Sequence, residues 1–349
     1  MKKNQSDGKN LGKVGKPTIL QVLPMYHHDG EQYLQEYAHV IQTNDYRVEH
    51  LCTLVKRVDA IVLRAPAQIT KEVLDANPYL KVISGAGVGL DNIDVNYATL
   101  KGIPVVHAPR VNKVSTAEHA VMFILALSKS VISFHEEMKK GNYHARNLLT
   151  ALELRGKSVG LIGFGGISQE VAKRIIPFGV NVKAWVRVYN EEKQRMAKEL
   201  QVELTTNIEE IFSESDFVSL HIPLNDETRG LVSKSLLSLM KPSAYLVNTA
   251  RGAVVNQQYL YELLKEGKIA GAALDVFDPE PPPKDLSLLR LPNIIVTPHV
   301  GGTTVECNQI SATAIAENVI NILNGEEPMY LANPQYKETL FSKKLKGDE

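Results

Sequence analysis

Val159-Gly160-Leu161-Ile162-Gly163-Phe164-Gly165-Gly166-Ile167-Ser168 is the stretch on which the reading of the fold turns. It reads as a short buried strand, a glycine turn and the opening of a helix, which is the context a dinucleotide-binding fingerprint requires. Gly163 permits the tight turn. Gly165 and Gly166 let a pyrophosphate approach the backbone N–H groups of the helix N-terminus at Ile167. The third position of the G-x-G-x-x-G pattern is Ser168, small enough to keep helix and strand close. A nucleotide-hydrolysing P-loop does not fit. Gly156-Lys157-Ser158 precedes the strand instead of following it, and Ala151 stands where the first glycine of such a loop belongs.

Outward from this turn, strand-like runs alternate with helical periodicity, the signature of parallel α/β sheets. Downstream, strands are expected at 158–163, 182–188, 217–221, 244–249, 272–277 and 294–297, with helices near 167–178, 190–200, 234–240 and 256–266. Six strands make the two mononucleotide halves of a doubly wound sheet. Upstream, strands at 18–23, 59–63, 80–84 and 103–106, with helices such as 70–77 between them, predict a smaller α/β domain. Between the blocks, Ser115-Thr116-Ala117-Glu118 has the capping-box form and predicts a helix start. The helix is apolar nearly all round over 120–127, which predicts burial between the domains. A last helix over about 305–323 is placed to pack back on the first domain. The expected architecture is therefore α/β with two Rossmann-like domains: a doubly wound dinucleotide-binding domain over 113–305, and a smaller flavodoxin-like substrate domain over 17–112 plus 306–349, after a disordered tail over 1–16.

Bulk properties exclude several classes. A length of 349 residues suits about two domains. With 44% hydrophobic and 22% charged residues the composition is that of an ordinary globular protein. Lys+Arg and Asp+Glu both number 39, so no global field draws in nucleic acid or an acidic membrane. Cys52 and Cys307 fit no metal or redox spacing and read as reduced thiols of a cytoplasmic protein. His27-His28 is read as no metal pair, because adjacent histidines in a strand point to opposite faces and no nearby acid completes a site. The start of the chain has no apolar stretch of the kind a secretory signal needs. No apolar run approaches the ~20 residues of a membrane helix.

Three polar residues follow three successive predicted strands: Arg251 after Leu246-Val247-Asn248, Glu280 in the loop after Ala273-Leu274-Asp275, and His299 after Val296-Thr297-Pro298. Open α/β sheets bind ligands outside the carboxyl ends of their strands, so a cation, a carboxylate and an imidazole are expected on one rim. The ribose end is less usual. Dinucleotide folds carry an acid about 20 residues beyond the glycines. This chain reads Ala184-Trp185-Val186-Arg187 there. An arginine can pair bidentately with a 2′-phosphate, so NADP(H) is the favoured cofactor. The alternative is NAD(H), with Arg187 a solvated surface charge. His221 either lines the adenosine pocket with Pro223 or caps its strand. Arg110 either helps select substrate or belongs to a plain surface loop.

Taken together, these stretches resemble the D-isomer-specific 2-hydroxyacid dehydrogenase family, which includes glyoxylate/hydroxypyruvate reductases and phosphoglycerate dehydrogenases. The resemblance runs from about Ala60 to Pro334. It rests on Gly87-Val88-Gly89-Leu90-Asp91-Asn92-Ile93-Asp94, Ala117-Glu118-His119, Glu153-Leu154-Arg155-Gly156-Lys157 and the glycine turn. It rests also on His221-Ile222-Pro223-Leu224, Asn248-Thr249-Ala250-Arg251-Gly252, Leu274-Asp275-Val276-Phe277 with Glu280-Pro281, and Pro298-His299. The resemblance implies that His299 is the acid/base, that Glu280 raises its pKa, and that Arg251 holds the substrate carboxylate and polarises its carbonyl. It implies further that Asp275 meets the nicotinamide carboxamide, that Thr116, Thr228 and Thr249 join the cofactor residues, and that Val88, Gly89 and Arg64 help bind substrate in a cleft that closes between two domains. A homodimer is also implied, for which the sequence offers the apolar helix at 119–127 as a seam.

One departure bears on substrate. Family members often have Ser after the first-domain arginine, whereas this chain has Arg64-Ala65-Pro66, without the extra basic residue a phosphorylated substrate calls for. Small 2-oxoacids such as glyoxylate, hydroxypyruvate or pyruvate are therefore favoured over phosphoglycerate, and a chain of 349 residues leaves no room for an appended regulatory domain. A non-catalytic dinucleotide sensor is a rival reading, which the Glu280–His299 pair disfavours because a sensor needs no acid/base. The same pair disfavours formate oxidation, which needs no proton transfer from a hydroxyl.

Overall fold

The computed structural model describes residues 15–85, 87 and 89–339; residues 1–14 of the expected 1–16 tail, Ala86, Val88, and the segment from 340 onward lie outside the described residues. Two compact units divide the chain. One comprises residues up to Val111 together with those from Val305, and the other is Asn112–Thr304.

The first unit opens with strands β1 (Thr18–Val22), β2 (His39–Thr43), β3 (Ala60–Leu63), β4 (Val82–Gly85) and β5 (Val105–Val106), and helices α1 (His28–Tyr37), α2 (Val48–Leu54), α3 (Lys71–Asp75) and α4 (Val95–Lys101). All its pairings are parallel, in the order β2-β1-β3-β4-β5, the flavodoxin-like arrangement. Ile19, Leu20, Ala60, Ile61, Val82 and Ile83 are fully buried, as expected of parallel strands covered on both faces. Edge strand β2 was not expected, and the strand expected over 103–106 shrinks to two residues.

The second unit begins with α5 (Lys113–Ser128) and α6 (Val131–Lys139), then alternates β6 (Ser158–Ile162), α7 (Gly166–Ile175), β7 (Asn181–Trp185), α8 (Glu191–Leu200), β8 (Glu203–Thr205), α9 (Ile208–Glu214) and β9 (Phe217–Leu220). It ends with α10 (Lys234–Leu237), β10 (Tyr245–Asn248), α11 (Gln257–Lys265), β11 (Gly271–Leu274) and β12 (Ile294–Val296). Its parallel sheet has the order β12-β11-β10-β9-β6-β7-β8. The order reverses at β6, so the glycine turn stands at the topological switch point, where such sheets bind ligands. The sheet has seven strands, not six. The missed one, β8, is three residues with one buried side chain.

Helix α5 departs from expectation twice. Its N-cap is Asn112, without a side-chain cap, and Ser115 lies inside the helix, where its hydroxyl donates to Gly301 O at 2.7 Å. The capping box is therefore not formed, because Ser115 has a tertiary partner. The apolar body of α5 is buried not between domains but inside the second unit, against α7, β10 and β11, with Met122 left exposed within 119–127. A run of further exposed apolar side chains lies next door, on Val131, Ile132 and Met138 of α6 and on Tyr143 and Leu148 beyond it. No single described helix is long and apolar enough to cross a membrane; α5 and α6 satisfy length and composition only jointly, with a 63° bend between them.

Helix α12 (Val305–Leu323) returns the chain to the first unit, where Ala312, Ile315, Ala316 and Val319 share a core with Ile19, Val62 and Val82. It lies so close to α1 that a Cβ on Gly30 would stand 2.6 Å from the Ala312 carbonyl oxygen. Glycine is required there by space. Gly30→Ala should push the helices apart and cost about 1–3 kcal/mol, the usual penalty for overpacking. Urea denaturation should show the lowered midpoint, and an unchanged midpoint would refute the close approach.

Candidate active site

The glycine turn is built by two close approaches. Gly163 has φ +95°, and a Cβ there would meet His221 O at 2.7 Å, so only glycine lets the turn lie against the chain leaving β9. Ser168, fully buried in α7, donates to Gly163 O at 2.7 Å and so ties helix to turn. Gly165, by contrast, faces open space where its Cβ would be, immediately before the first residue of the ten-residue helix α7. An open, Cβ-free position at a helix N-terminus is a cradle for a diphosphate. The stem of Lys113, the first residue of α5, runs beside Gly166, 3.8 Å from where a Cβ would stand.

Two buried hydroxyls in the same unit, Thr116 Oγ1 and Thr249 Oγ1, have no hydrogen-bond partner among the described residues. Buried polar atoms are rarely left unpaired, and these two residues are among those expected to hold a cofactor. The open cradle and the orphaned hydroxyls fit a dinucleotide. Thr228 and His221 behave otherwise. Thr228 Oγ1 donates to Pro223 O at 2.6 Å and accepts from Asn225 N–H at 2.8 Å, bracing the loop after β9. His221 Nε2 lies 2.9 Å from Ser219 Oγ, and burial drives its pKa down to about 3, so the ring is neutral and tied to its own strand.

Arg251, Asp275, Glu280 and His299 follow the adjacent strands β10, β11 and β12. Asn248 braces the first loop from both sides: Oδ1 accepts Ala250 N–H and Nδ2 donates to Arg251 O, each at 3.0 Å. Arg251 Nη1 in turn donates to Ala250 O at 2.7 Å. A Cβ on Gly252 would stand 2.0 Å from the Phe277 carbonyl, so glycine alone lets the Arg251 loop lie on the loop that carries Glu280. Glu280 Oε1 accepts Phe277 N–H at 2.9 Å, which leaves Oε2 for His299 Nδ1 at 2.7 Å.

The Asp275 carboxylate, 2% exposed, is the hub of the last loop. It accepts Thr297 Oγ1–H at 2.5 Å and the Val300 and Gly301 N–H groups at 2.8 Å each, while its backbone oxygen accepts His299 N–H at 2.8 Å. These bonds hold His299 at φ +55°, a left-handed conformation uncommon outside glycine. Behind them, His119 Nε2 lies 3.0 Å from Thr297 Oγ1, with its ring edge-on to Phe123. With the Thr297 hydroxyl donating to Asp275, its lone pair receives His119 Nε2–H. Desolvation, opposed by Asp275, lowers the His119 pKa and keeps that ring neutral. The sequence hinted at Thr297 only as a polar residue two places before His299, and at His119 only within a motif.

The His299–Glu280 pair is charge-matched and half exposed. The Glu280 hydrogen bond raises the His299 pKa above 6.5; burial opposes it, the Glu280 charge adds to it, and the Arg251 charge opposes it. For Glu280 the largest influence is burial, which pushes its pKa up, but the His299 hydrogen bond and charge, Phe277 N–H and Arg251 outweigh it, and the carboxyl lies below its ordinary range. An imidazole of raised pKa, a carboxylate and a guanidinium therefore act on one another at one rim of the sheet.

The remaining expected residues are carried by other elements. Arg187 follows β7 and is ion-paired with Glu227. In the first unit, the Arg64 guanidinium carbon lies 5.0 Å from the centre of the Tyr26 ring, and its buried Nε has no partner among the described residues. Gly89 follows β4 in the same unit. Contrary to the sequence reading, His27 and His28 do not diverge: their rings lie 4.4 Å apart, and with Asp29 their ligating atoms fall within 4.8 Å of one another, because they open α1 and are not in a strand. That helix start repels a cation, and His27 Nδ1 already accepts Asp29 N–H.

Comparison with known proteins adds the lineage. Residues 121–301 match the family model described as "D-isomer specific 2-hydroxyacid dehydrogenase, NAD binding domain". The chain is 40% identical over 300 residues to a D-3-phosphoglycerate dehydrogenase of Methanocaldococcus jannaschii, covering 86% of this chain and 56% of that one. It is 39% identical to a glyoxylate reductase of Pyrococcus furiosus, covering 82% and 86%. An NADPH-dependent glyoxylate/hydroxypyruvate reductase of Sinorhizobium meliloti, solved with NADP and malonate, superimposes with a TM-score of 0.82 at 25% identity over 91% of this chain and 98% of that one. The chain spans about half the length of the phosphoglycerate dehydrogenases it matches, 56% and 52% for two archaeal ones. With a matching family model over more than half its length and relatives near 40% identity over most of it, this chain belongs to the D-isomer-specific 2-hydroxyacid dehydrogenase family.

Proposed function

We propose that this protein reduces a small, unphosphorylated 2-oxoacid (glyoxylate, hydroxypyruvate or pyruvate) to the D-2-hydroxyacid, with NADP(H) preferred over NAD(H). The carrying observation is the 2.7 Å contact between His299 Nδ1 and Glu280 Oε2. Glu280 occupies Nδ1, so Nε2 is the nitrogen left to exchange a proton with the substrate oxygen. When bound, the nicotinamide supplies or receives the hydride at the substrate's second carbon. His299 donates the proton to the carbonyl oxygen in reduction and accepts it from the hydroxyl in oxidation. Arg251 pairs with the substrate carboxylate and polarises the carbonyl. Asp275 fixes the His299 turn, and its remaining lone-pair capacity is available to the carboxamide. Gly163, Gly165, Gly166 and Ile167 receive the diphosphate, with Thr116 and Thr249 offering hydroxyls. A cytoplasmic location and a homodimer belong to the same reading. The dimer is placed on α6, whose apolar residues are not buried within the chain.

A panel of 2-oxoacids that includes a phosphorylated one should show faster NADPH consumption with the small unphosphorylated acids; preference for the phosphorylated acid would favour phosphoglycerate chemistry instead. His299→Ala should lower turnover about 10²- to 10⁴-fold, the usual worth of a general acid–base, and leave coenzyme affinity intact. Unchanged turnover would remove the assignment.

The pH dependence follows from the raised His299 pKa. Reduction needs the protonated ring, so reductive kcat/KM should fall as pH rises through a value above 6.5, while the oxidative rate rises. Glu280→Gln removes the charge that raises that pKa, and both limbs should move to lower pH. Limbs that stay in place would show that Glu280 does not act through His299.

Sedimentation should give a mass near twice the 38.6 kDa of one chain, and Ile132→Glu together with Met138→Glu should return it to one.

A further inference from the structure

β7 ends at Trp185, and the chain passes through buried Val186 to Arg187 without a carboxylate. In dinucleotide folds the acid at that strand end accepts the ribose 2′-hydroxyl. Here Arg187 Nη1 is ion-paired with Oε2 of Glu227, from the loop that follows β9. β7 and β9 are the two neighbours of β6, so the pair joins loops on either side of the strand that carries the glycine turn. The Glu227 loop is held firmly: Asn225 Oδ1 accepts the N–H groups of Glu227 and Thr228 at 3.0 Å each, and Thr228 is bonded to Pro223 O. The two charged heads, 51% and 66% exposed, are solvated and separate at little cost.

We infer that Glu227 is a specificity-determining residue for the coenzyme: from a neighbouring loop it sets a carboxylate on Arg187, and so competes with a 2′-phosphate for that guanidinium. This rests on the dinucleotide reading above. A ribose 2′-hydroxyl leaves the ion pair intact. A 2′-phosphate, with a charge of about −1.5 to −2, draws Arg187 away and stands close to the Glu227 carboxylate, which repels it. Arg187 thus favours NADP(H), and Glu227 holds that preference below what an unpaired arginine gives. The sequence signal was an acid in Asn225-Asp226-Glu227-Thr228, far from the place where the acid is usually sought.

The test uses adenosine fragments, so that turnover plays no part. Calorimetric affinities for 2′,5′-ADP and 5′-AMP are measured for the unaltered protein, Glu227→Gln and Arg187→Gln, with NADPH and NADH followed by quenching of Trp185, the single tryptophan. Glu227→Gln should tighten 2′,5′-ADP and NADPH about three- to tenfold, the range open to an exposed charge pair plus relief of a like-charge contact, and leave 5′-AMP within about twofold. Arg187→Gln should abolish the advantage of the 2′-phosphate. No change in the ratio for Glu227→Gln, or equal tightening of both fragments, overturns the inference. A preference of the unaltered protein for NADH, with the Glu227→Gln response present, would sink the NADP(H) reading and leave the role of Glu227 standing. Loss of all dinucleotide binding in the unaltered protein would sink both.

Discussion

The acceptor capacity of one buried carboxylate organises the site. Asp275 takes a hydroxyl and two backbone N–H groups from the segment that follows β12. Bonds to an ionised acceptor are among the stronger ones available to a protein, and removing the acceptor would orphan three donors at once. This is what holds His299 in a left-handed turn that its Cβ disfavours. The imidazole is thus aimed by backbone geometry, and Glu280 has only to set its charge. His119 and Thr297 extend the anchoring into α5, so a helix with no residue in the Arg251–Glu280–His299 group contributes to the placement of one.

Glycines do the complementary work. Gly252 brings the Arg251 loop against the Phe277 carbonyl, and Gly163 brings the glycine turn against the His221 carbonyl. In both places a methyl group would occupy space already held by backbone. Three ionisable groups from three loops come together because two of those loops touch where no side chain intervenes.

Much of this was legible in the residues. The alternation of buried strands with helices is written in runs such as Val159-Gly160-Leu161-Ile162, and the parallel order follows from right-handed crossovers. The grouping of Arg251, Glu280 and His299 after adjacent strands was readable because strand ends are where such sheets present polar groups. What escaped notice was decided by tertiary context. β2 and β8 are edge strands whose exposed, mixed residues carry no clean apolar signal. Ser115 looked like a cap by local spacing, but a carbonyl 186 residues away claims its hydroxyl. The charge partner of Arg187 was unreadable for the same reason, since the sheet order that makes β7 and β9 both neighbours of β6 is not visible along the chain.

The split of the first unit has a consequence for synthesis. On one face its sheet is covered only in part, by Leu34 of α1 and its neighbours Met25 and Ala38, until Ala312, Ile315, Ala316 and Val319 arrive on α12. The second unit is contiguous and can close as soon as its own residues have left the ribosome, at about 5–20 residues per second. The first must keep part of the apolar flank of β1, β3 and β4 uncovered while nearly two hundred residues of the second unit, Asn112–Thr304, are translated. The nascent chain therefore completes its later-made half before its earlier-made one, and a chaperone would find its grip on that waiting flank.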